Sequence, residues 1–423
     1  MPFSVPDHFV RMQQNRSPHA SDWNYAVALR LPGQAPPADA VHALVADALG
    51  RIPALSYRPV ERRGRWHFEH CSSVDPSNHV EELVFPAGLG PQQCLRHGVQ
   101  RPWIDGQPPW SLQIITGYRD DEHLLVYRVA HALQDGTASA STAHAILTGR
   151  HLPAPSFDPA AMRLRIRSLA GASRYLARLL VPHRPWLPES AQPHAGVWSD
   201  CTAALDRARI SEIARCTGAT TAQVLLAVIC GALRAWTPGR WTGCRPRGRL
   251  RGVPTYLAVS LRTPRDRSCL GNRFGALPVF LPCNEPSATE RLRRIQHMTR
   301  PDELAACRRH LSALLYPSSS VSRLLSHLLM WCERPRLAVT IVPWRLDMES
   351  LGAKELLMMP MRPARQDGGL VVIPQPTGVT VQCYFPPTVA DTDRLPALFT
   401  QSLADLSAAV ALQPIPSAKA RAV

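Results

Sequence analysis

The stretch LLVYRVAHALQDG, residues 124–136, decides the fold. Residues 124–130 are a continuous apolar and β-branched run broken only by Arg128, the pattern of a strand buried on both faces. Residues 131–135 follow as a tight connection, and 136–147 are small and helix-compatible up to Gly149. A buried strand feeding a helix in this way predicts an α/β fold class, built of sandwiched sheet and helix layers. The alternation recurs on either side. Residues 25–31 read as a strand, and Val41, Leu44, Val45 and Leu49 recur at helical spacing before Gly50. Beyond residue 200 a helix is expected to start at Ser211-Glu212, followed by an apolar helix over 222–235 and a strand over 255–261. Further strands are expected at 276–281, 337–342, 370–373 and 379–384, with closing helices near 321–331 and 394–411, the first capped by Ser318-Ser319-Ser320. Pro153, Pro155, Pro159, Pro182, Pro185, Pro188 and Pro193 mark a crossover between the two runs of elements. The expected division is an N-terminal half at 1–155, a Pro/Arg-rich linker at 156–200 and a C-terminal half at 201–423.

Composition narrows the class. The 423 residues are 45% hydrophobic and 19% charged, which excludes collagen-like, coiled-coil and wholly disordered chains. Lys+Arg outnumber Asp+Glu by 48 to 32, a net charge of +16 that points to an anionic partner. All but Lys354 and Lys419 of these cations are arginine, and with 41 prolines this reflects GC-rich coding bias as well. Two tracts concentrate the arginines, at 163–178 and 240–251. They suit phosphate groups, an acidic protein or anionic lipid, and equally a solvated loop. No zinc finger, RNP motif or basic heptad accompanies them, so nucleic acid is not the expected partner. Eleven cysteines without a C-x-x-C pair read as free thiols in a reducing compartment. Asp7, His8 and Arg11 stand where an export signal needs an apolar run, and apolar stretches such as 224–233 fall short of the roughly 18 to 20 residues of a bilayer span. The expected location is cytoplasmic, with peripheral membrane contact through 163–181. His67, His70, Cys71 and His79 are metal-ligand types but lack a second close pair, so no metal is expected. Gly-x-Ser-x-Gly, P-loop and Gly-x-Gly-x-x-Gly signatures are absent.

The chemistry-bearing spacing is His131-x-x-x-Asp135-Gly136. An imidazole with an ordinary pKa near 6.5 is largely neutral at pH 7 and can take a proton from a hydroxyl or amine. Asp135 turns back into the protein, where a carboxylate needs a cation or donors. Gly136 would supply unrestricted backbone at the turn. The spacing alone equally fits a satisfied histidine at a strand end.

The motif resembles the His-x-x-x-Asp-Gly signature of acyltransferases related to chloramphenicol acetyltransferase and to condensation domains of peptide synthetases. Nearer still, the chain is similar to the bacterial wax ester synthase/diacylglycerol acyltransferase family. Pro6-Asp7-His8-Phe9, Trp66, Asn78-His79-Val80, Trp103-Ile104-Asp105 and Pro108-Pro109-Trp110 match its blocks in order. The series continues through Gly218-Ala219-Thr220, Leu226-Ala227, Gly231–Arg234, Val259–Arg262 and Gly271-Asn272-Arg273. The resemblance implies two chloramphenicol-acetyltransferase-like halves with a tunnel between them. It implies His131 as general base and Asp135 as a structural residue, with Arg262 its partner and Gly136 at the active-site turn. Trp110, Gln223 and Asn272 become candidates for substrate binding. It further implies an acyl-coenzyme A donor, an alcohol acceptor, no cofactor and no metal. The acceptor could be a long-chain alcohol, a diacylglycerol or the hydroxyl of a specialised metabolite. A carrier-protein donor, as in condensation domains, and a non-catalytic scaffold are the alternatives. The chain departs from the family where Ala130 replaces a first histidine and Ala222-Gln223 an Asn-Asp pair. It departs again where residues 339–344 replace a late Ser-Asn-Val-Pro-Gly-Pro motif, and at Pro109.

Overall fold

A computed structural model describes residues 1–17, 19–155, 175, 177–181, 186–187, 198–241, 252–262, 268–315, 319–332, 336–342, 344, 348–361, 367–376 and 378–412. Of the arginine tracts at 163–178 and 240–251, residues 163–174, 176 and 242–251 lie outside the described residues, as does Ser318 of the expected cap. The strands are β1 (Asn24–Pro32), β2 (Tyr57–Arg62), β3 (Arg65–His70), β4 (Val80–Val84), β5 (Trp110–Thr116), β6 (Glu122–Ala130), β7 (Ser199–Leu205), β8 (Val253–Ser260), β9 (Phe274–Leu281), β10 (Leu337–Ile341), β11 (Glu355–Met359), β12 (Gly369–Pro374) and β13 (Val379–Phe385). The longer helices are α1 (Val5–Arg16), α2 (Ala38–Arg51), α3 (Pro91–Val99), α4 (Gly136–Thr148), α5 (Arg207–Thr217), α6 (Thr221–Trp236), α7 (Ala288–Met298), α8 (Pro301–Leu315), α9 (Ser319–Cys332) and α10 (Leu395–Ala411).

The fold is two α/β halves. The first sheet runs β11-β1-β6-β5-β4 and the second β7-β13-β12-β10-β8-β9, with β2-β3 a separate hairpin. Alternation along each strand sorts the layers. In β1, Tyr25, Val27 and Leu29 pack with Val41 and Val45 of α2 and Ile146 of α4. Ala26 and Ala28, on the opposite face, pack with Cys94, Leu95 and Val99 of α3. The centre of the first sheet is the buried run of β6, as its composition predicts. Arg128 is tolerated there because Glu81 accepts from its Nη2 at 2.9 Å, Ser111 and two carbonyls accept from its other nitrogens, and Trp103 covers it at 3.8 Å. Burial still lowers its pKa to about 10, against the opposing pull of Glu81.

In the second sheet Leu257, Val259 and Val339 join a core with the apolar face of α6 and with α10. The alternate residues of β8 and β10 face the other way, and this face positions the site.

Two expectations need correction. The helix expected from Ser211 begins four residues earlier, because Asp206 accepts from the N–H groups of Ala208 and Arg209 and caps it. The division at 201 is not a clean cut. β11, absent from the expected strands, lies in the C-terminal segment yet pairs antiparallel with β1, from Ala26↔Met359 to Arg30↔Glu355. A five-residue strand with four apolar residues carries no information about a partner more than 300 residues away.

Candidate active site

His131 leaves the end of β6 and is held from both halves. Its backbone N–H donates to the Trp23 carbonyl at 2.9 Å, and its own carbonyl accepts from Asn272 Nδ2 at 2.9 Å. The ring sits among Trp23, Tyr25 and Phe274, with centroids 5.4 to 6.0 Å away. Its Nδ1 has no hydrogen-bond partner among the described residues. Burial lowers the imidazole pKa, outweighing Asp135 and Asn272, so the ring is neutral at pH 7.

The connection after it is fastened at Gln134 and Asp135. Tyr25 Oη donates to the Gln134 carbonyl and Tyr127 Oη to Gln134 Oε1, both at 2.9 Å, while Gln134 Nε2 donates to Thr142 at 3.0 Å. Asp135 caps α4 by accepting from the Ala138 N–H at 2.8 Å. Arg262 Nη2 reaches its Oδ2 at 3.0 Å, Arg262 Nε its Oδ1 at 3.3 Å, and the Arg273 N–H its Oδ2 at 2.7 Å. Burial alone would raise the Asp135 pKa. Arg262 and the two backbone donors outweigh it and hold the carboxyl below its ordinary value.

Two further contacts stitch the halves here. The Gly271 N–H donates to the Leu133 carbonyl at 2.7 Å. Asp7, fully buried at the start of α1, accepts from the Asn272 N–H at 2.7 Å and from its Nδ2 at 3.1 Å. Sequence reasoning did not name Asp7 as a site residue, although the Pro6–Phe9 motif carried the signal.

His131 and Asp135 open on a cavity of about 200 Å³ between the halves. The wall is mostly apolar: Val5, Phe9 and Val10 of α1, Ala258 of β8, Phe274 and Ala276 of β9, and Ala338 of β10 contribute to it. Thr137, Ser260, Arg273 and Thr340 add a few polar groups. An apolar trough with a neutral imidazole on its wall can hold a hydrocarbon chain and take a proton beside it.

Other expected residues fall elsewhere. Trp110 is core rather than cavity wall: its Nε1 donates to the Leu55 carbonyl at 2.8 Å, and His79 stacks on it at 4.1 Å. Gln223 lies outside the cavity as well. It completes the α6 capping box, accepting from the Thr220 N–H at 2.8 Å, and donates to Thr299 Oγ1 at 3.0 Å. Gly136 lines the cavity, but its backbone is not in the left-handed region, and an added Cβ would meet only Val342 at 3.5 Å. The turn does not demand glycine conformationally. Among the described residues no cluster of His, Cys, Asp or Glu could hold a metal, and His79 is spent on the Trp110 carbonyl at 2.8 Å.

This two-half fold is shared with condensation domains and with a wax ester synthase. The condensation domain of the monacolin K polyketide synthase superposes with a TM-score of 0.66 at 17% identity, covering 97% of each chain. The starter condensation domain of rhizomide synthetase, in complex with C8-CoA and Leu-SNAC, gives 0.67 at 15% identity over 98% of this chain and 96% of that one. The wax ester synthase/diacylglycerol acyltransferase of Marinobacter aquaeolei VT8 gives 0.56 at 16% identity, over 97% and 100%. In sequence, the chain is similar to proteins of Mycobacterium tuberculosis named "Putative diacyglycerol O-acyltransferase", at 25% identity over 60% of this chain. A Mycobacterium bovis protein of the same name matches at 24% identity over 62% of this chain and 59% of that one. The match spans 61% of the length of the first M. tuberculosis relatives. No family model matches the chain. The resemblance read from the ordered motifs therefore recurs in distant relatives and in the shared fold.

Proposed function

We propose that the chain is an O-acyltransferase that moves an acyl group from a thioester, acyl-coenzyme A in the first instance, to an alcohol. The observation that carries this reading is a neutral, buried His131 on the wall of a mostly apolar cavity, fixed from both halves. A ring nitrogen of His131 takes the proton of the acceptor hydroxyl as its oxygen attacks the thioester carbonyl. When the tetrahedral intermediate collapses, the C–S bond breaks and the imidazolium returns its proton to the leaving thiolate. Asp135 touches neither substrate in this scheme; paired with Arg262, it fixes the turn that aims His131. Positioning supplies much of the acceleration, and the base adds a further factor of roughly 10² to 10⁴. The missing first histidine (Ala130) removes no group this scheme uses.

A second reading takes the acyl group from a phosphopantetheine carrier protein. It is favoured by the superposition on condensation domains of synthetases, at TM-scores of 0.66 and 0.67. Release of free thiol from acyl-coenzyme A or an acyl-carrier protein, over a panel of alcohols and amines, separates the two. His131→Ala is expected to lower turnover at least a hundredfold while the circular dichroism spectrum and melting temperature stay close to wild type. Turnover unchanged in that variant removes His131 as the base. No turnover with either donor favours a binding or scaffold role.

A further inference from the structure

The cavity wall follows one face of the second sheet. Tyr256, Ala258 and Ser260 of β8 alternate along it, beside Ala338 and Thr340 of β10 and Val342 just beyond. Arg336 immediately precedes β10 and continues the same alternation by two residues, at the end remote from His131. At about 3.3 Å per residue it stands roughly 20 Å along the strand from Val342, which adjoins Gly136. Its guanidinium lies 5.3 Å from the Tyr256 ring and 5.6 Å from that of Phe280. Its Nη2 donates to the carbonyls of Arg178 and Leu179, at 3.2 and 3.4 Å. Tyr256 and Leu179 both belong to the cavity wall, so Arg336 lies directly behind the far end of the trough.

What is unusual is its state. Arg336 is 0% exposed, yet Nε and Nη1 have no hydrogen-bond partner and no carboxylate pairs with it among the described residues. Arginine stays charged in proteins, and a buried cation with idle donors is strongly unfavourable unless an anion reaches it. Two carbonyls and two aromatic faces offset only part of that.

We propose that Arg336 is an anion subsite at the far end of the trough, reached past Tyr256. It would take an anionic oxygen group carried on the remote end of the substrate. That anion is either a carboxylate tipping the acyl chain or the phosphate of a pantetheine arm. The proposal rests on reading the cavity as the acyl-transfer site, and it adds that the bound substrate is charged at its distal end.

Binding by the full-length protein tests this without turnover, using calorimetry and thermal shift. Octanoate, dodecanoate and hexadecanoate are compared with the primary amides of the same lengths, and 4′-phosphopantetheine with pantetheine. In the wild type one anionic series is expected to bind at least about tenfold tighter than its neutral counterpart. Arg336→Met should abolish that preference and Arg336→Lys should keep part of it. A preference confined to the carboxylates assigns the subsite to the chain tip, and one confined to phosphopantetheine assigns it to the donor arm. Equal binding of anionic and neutral ligands by the wild type overturns the proposal even if Arg336→Met does not fold. Persistence of the preference in Arg336→Met overturns it too. Thiol release measured alongside keeps the two ideas apart. Anion preference without turnover leaves the subsite standing and removes the acyl-transfer reading, and turnover without anion preference does the reverse.

Discussion

At the scale of single residues, the site is built on two buried carboxylates that hold backbone and side-chain donors from both halves. Asp135 joins the His131 turn to Arg262, and Asp7 joins the first helix to Asn272. Replacing Asp135 by Asn keeps an N-cap oxygen but removes the Asp135 charge from beside the nearly buried Arg262 cation. The expected loss is about 3 kcal/mol of stability, read as a lowered urea midpoint with an unchanged slope. An unaltered midpoint would show that the pair contributes nothing net. His131 itself gives a signature in pH. Its pKa is lowered by burial, so the neutral ring persists below the ordinary imidazole value. The acid limb of kcat/KM is expected to fall below pH 6.5, where an exposed histidine would place it at about 6.5. A limb at or above that value would assign the controlling group to another residue.

At the scale of elements, α9 presents two faces with different tasks. Ser326 Oγ donates to the Val5 carbonyl at 3.1 Å, tying the helix to α1, and Leu329 reaches the cavity wall. On the outside Leu324, Leu328 and Trp331 recur at i, i+4 and i+7, with Leu324 and Trp331 at least 70% exposed. Exposed Leu and Trp beside an apolar trough, on a chain of net charge +16, suit the surface of an anionic bilayer. No single described helix is long and apolar enough to cross one. Leu324→Glu with Trp331→Glu is expected to lower cosedimentation with phosphatidylserine-containing vesicles several-fold while leaving the melting temperature within about a degree. Equal cosedimentation of this variant and wild type would rule the helix out as the contact. The sequence made some elements plain and hid others. The buried strand β6 and the apolar helix α6 were legible because length, β-branching and helical spacing are local properties. The edge strand β11 was not, because its identity as a strand comes from pairing with β1. The same limit explains the site. His131, Asp135 and Arg262 were reachable through motif order. Trp110 and Gln223 share that order but are used for packing and capping, a difference only burial and hydrogen-bond partners reveal. Arg336 belongs to no motif, and its interest lies wholly in what surrounds it.

At the scale of the molecule, stability is coupled to pH through histidines folded in the neutral state. Besides His131, burial lowers the pKa of His79, stacked on Trp110, and of His8, which also faces Arg323 and His327 across the α1–α9 contact. The sign follows from linkage. Above about pH 6.5 these rings are neutral both folded and unfolded, and they contribute nothing to the pH dependence. Below it the unfolded chain takes up protons that the native state resists, so stability falls as pH falls. Asp135 acts in a different window: its pKa is depressed, so its contribution is present above the unfolded carboxylate value of about 3.9 and is lost only below that. Between pH 7.5 and 5.5 these histidines act on the slope together with His144 and the Met1 amine, whose pKa values burial also lowers. His131, His79 and His8 can each remove up to about 1.4 kcal/mol by pH 5.5, roughly 4 kcal/mol from these three. Urea midpoints at the two pH values measure the loss. His79→Phe, which keeps an aromatic ring against Trp110 without a titrating group, should reduce the loss by up to about 1.4 kcal/mol. The same pH slope in this variant would mean that His79 takes no part and that protonation acts at the other buried groups.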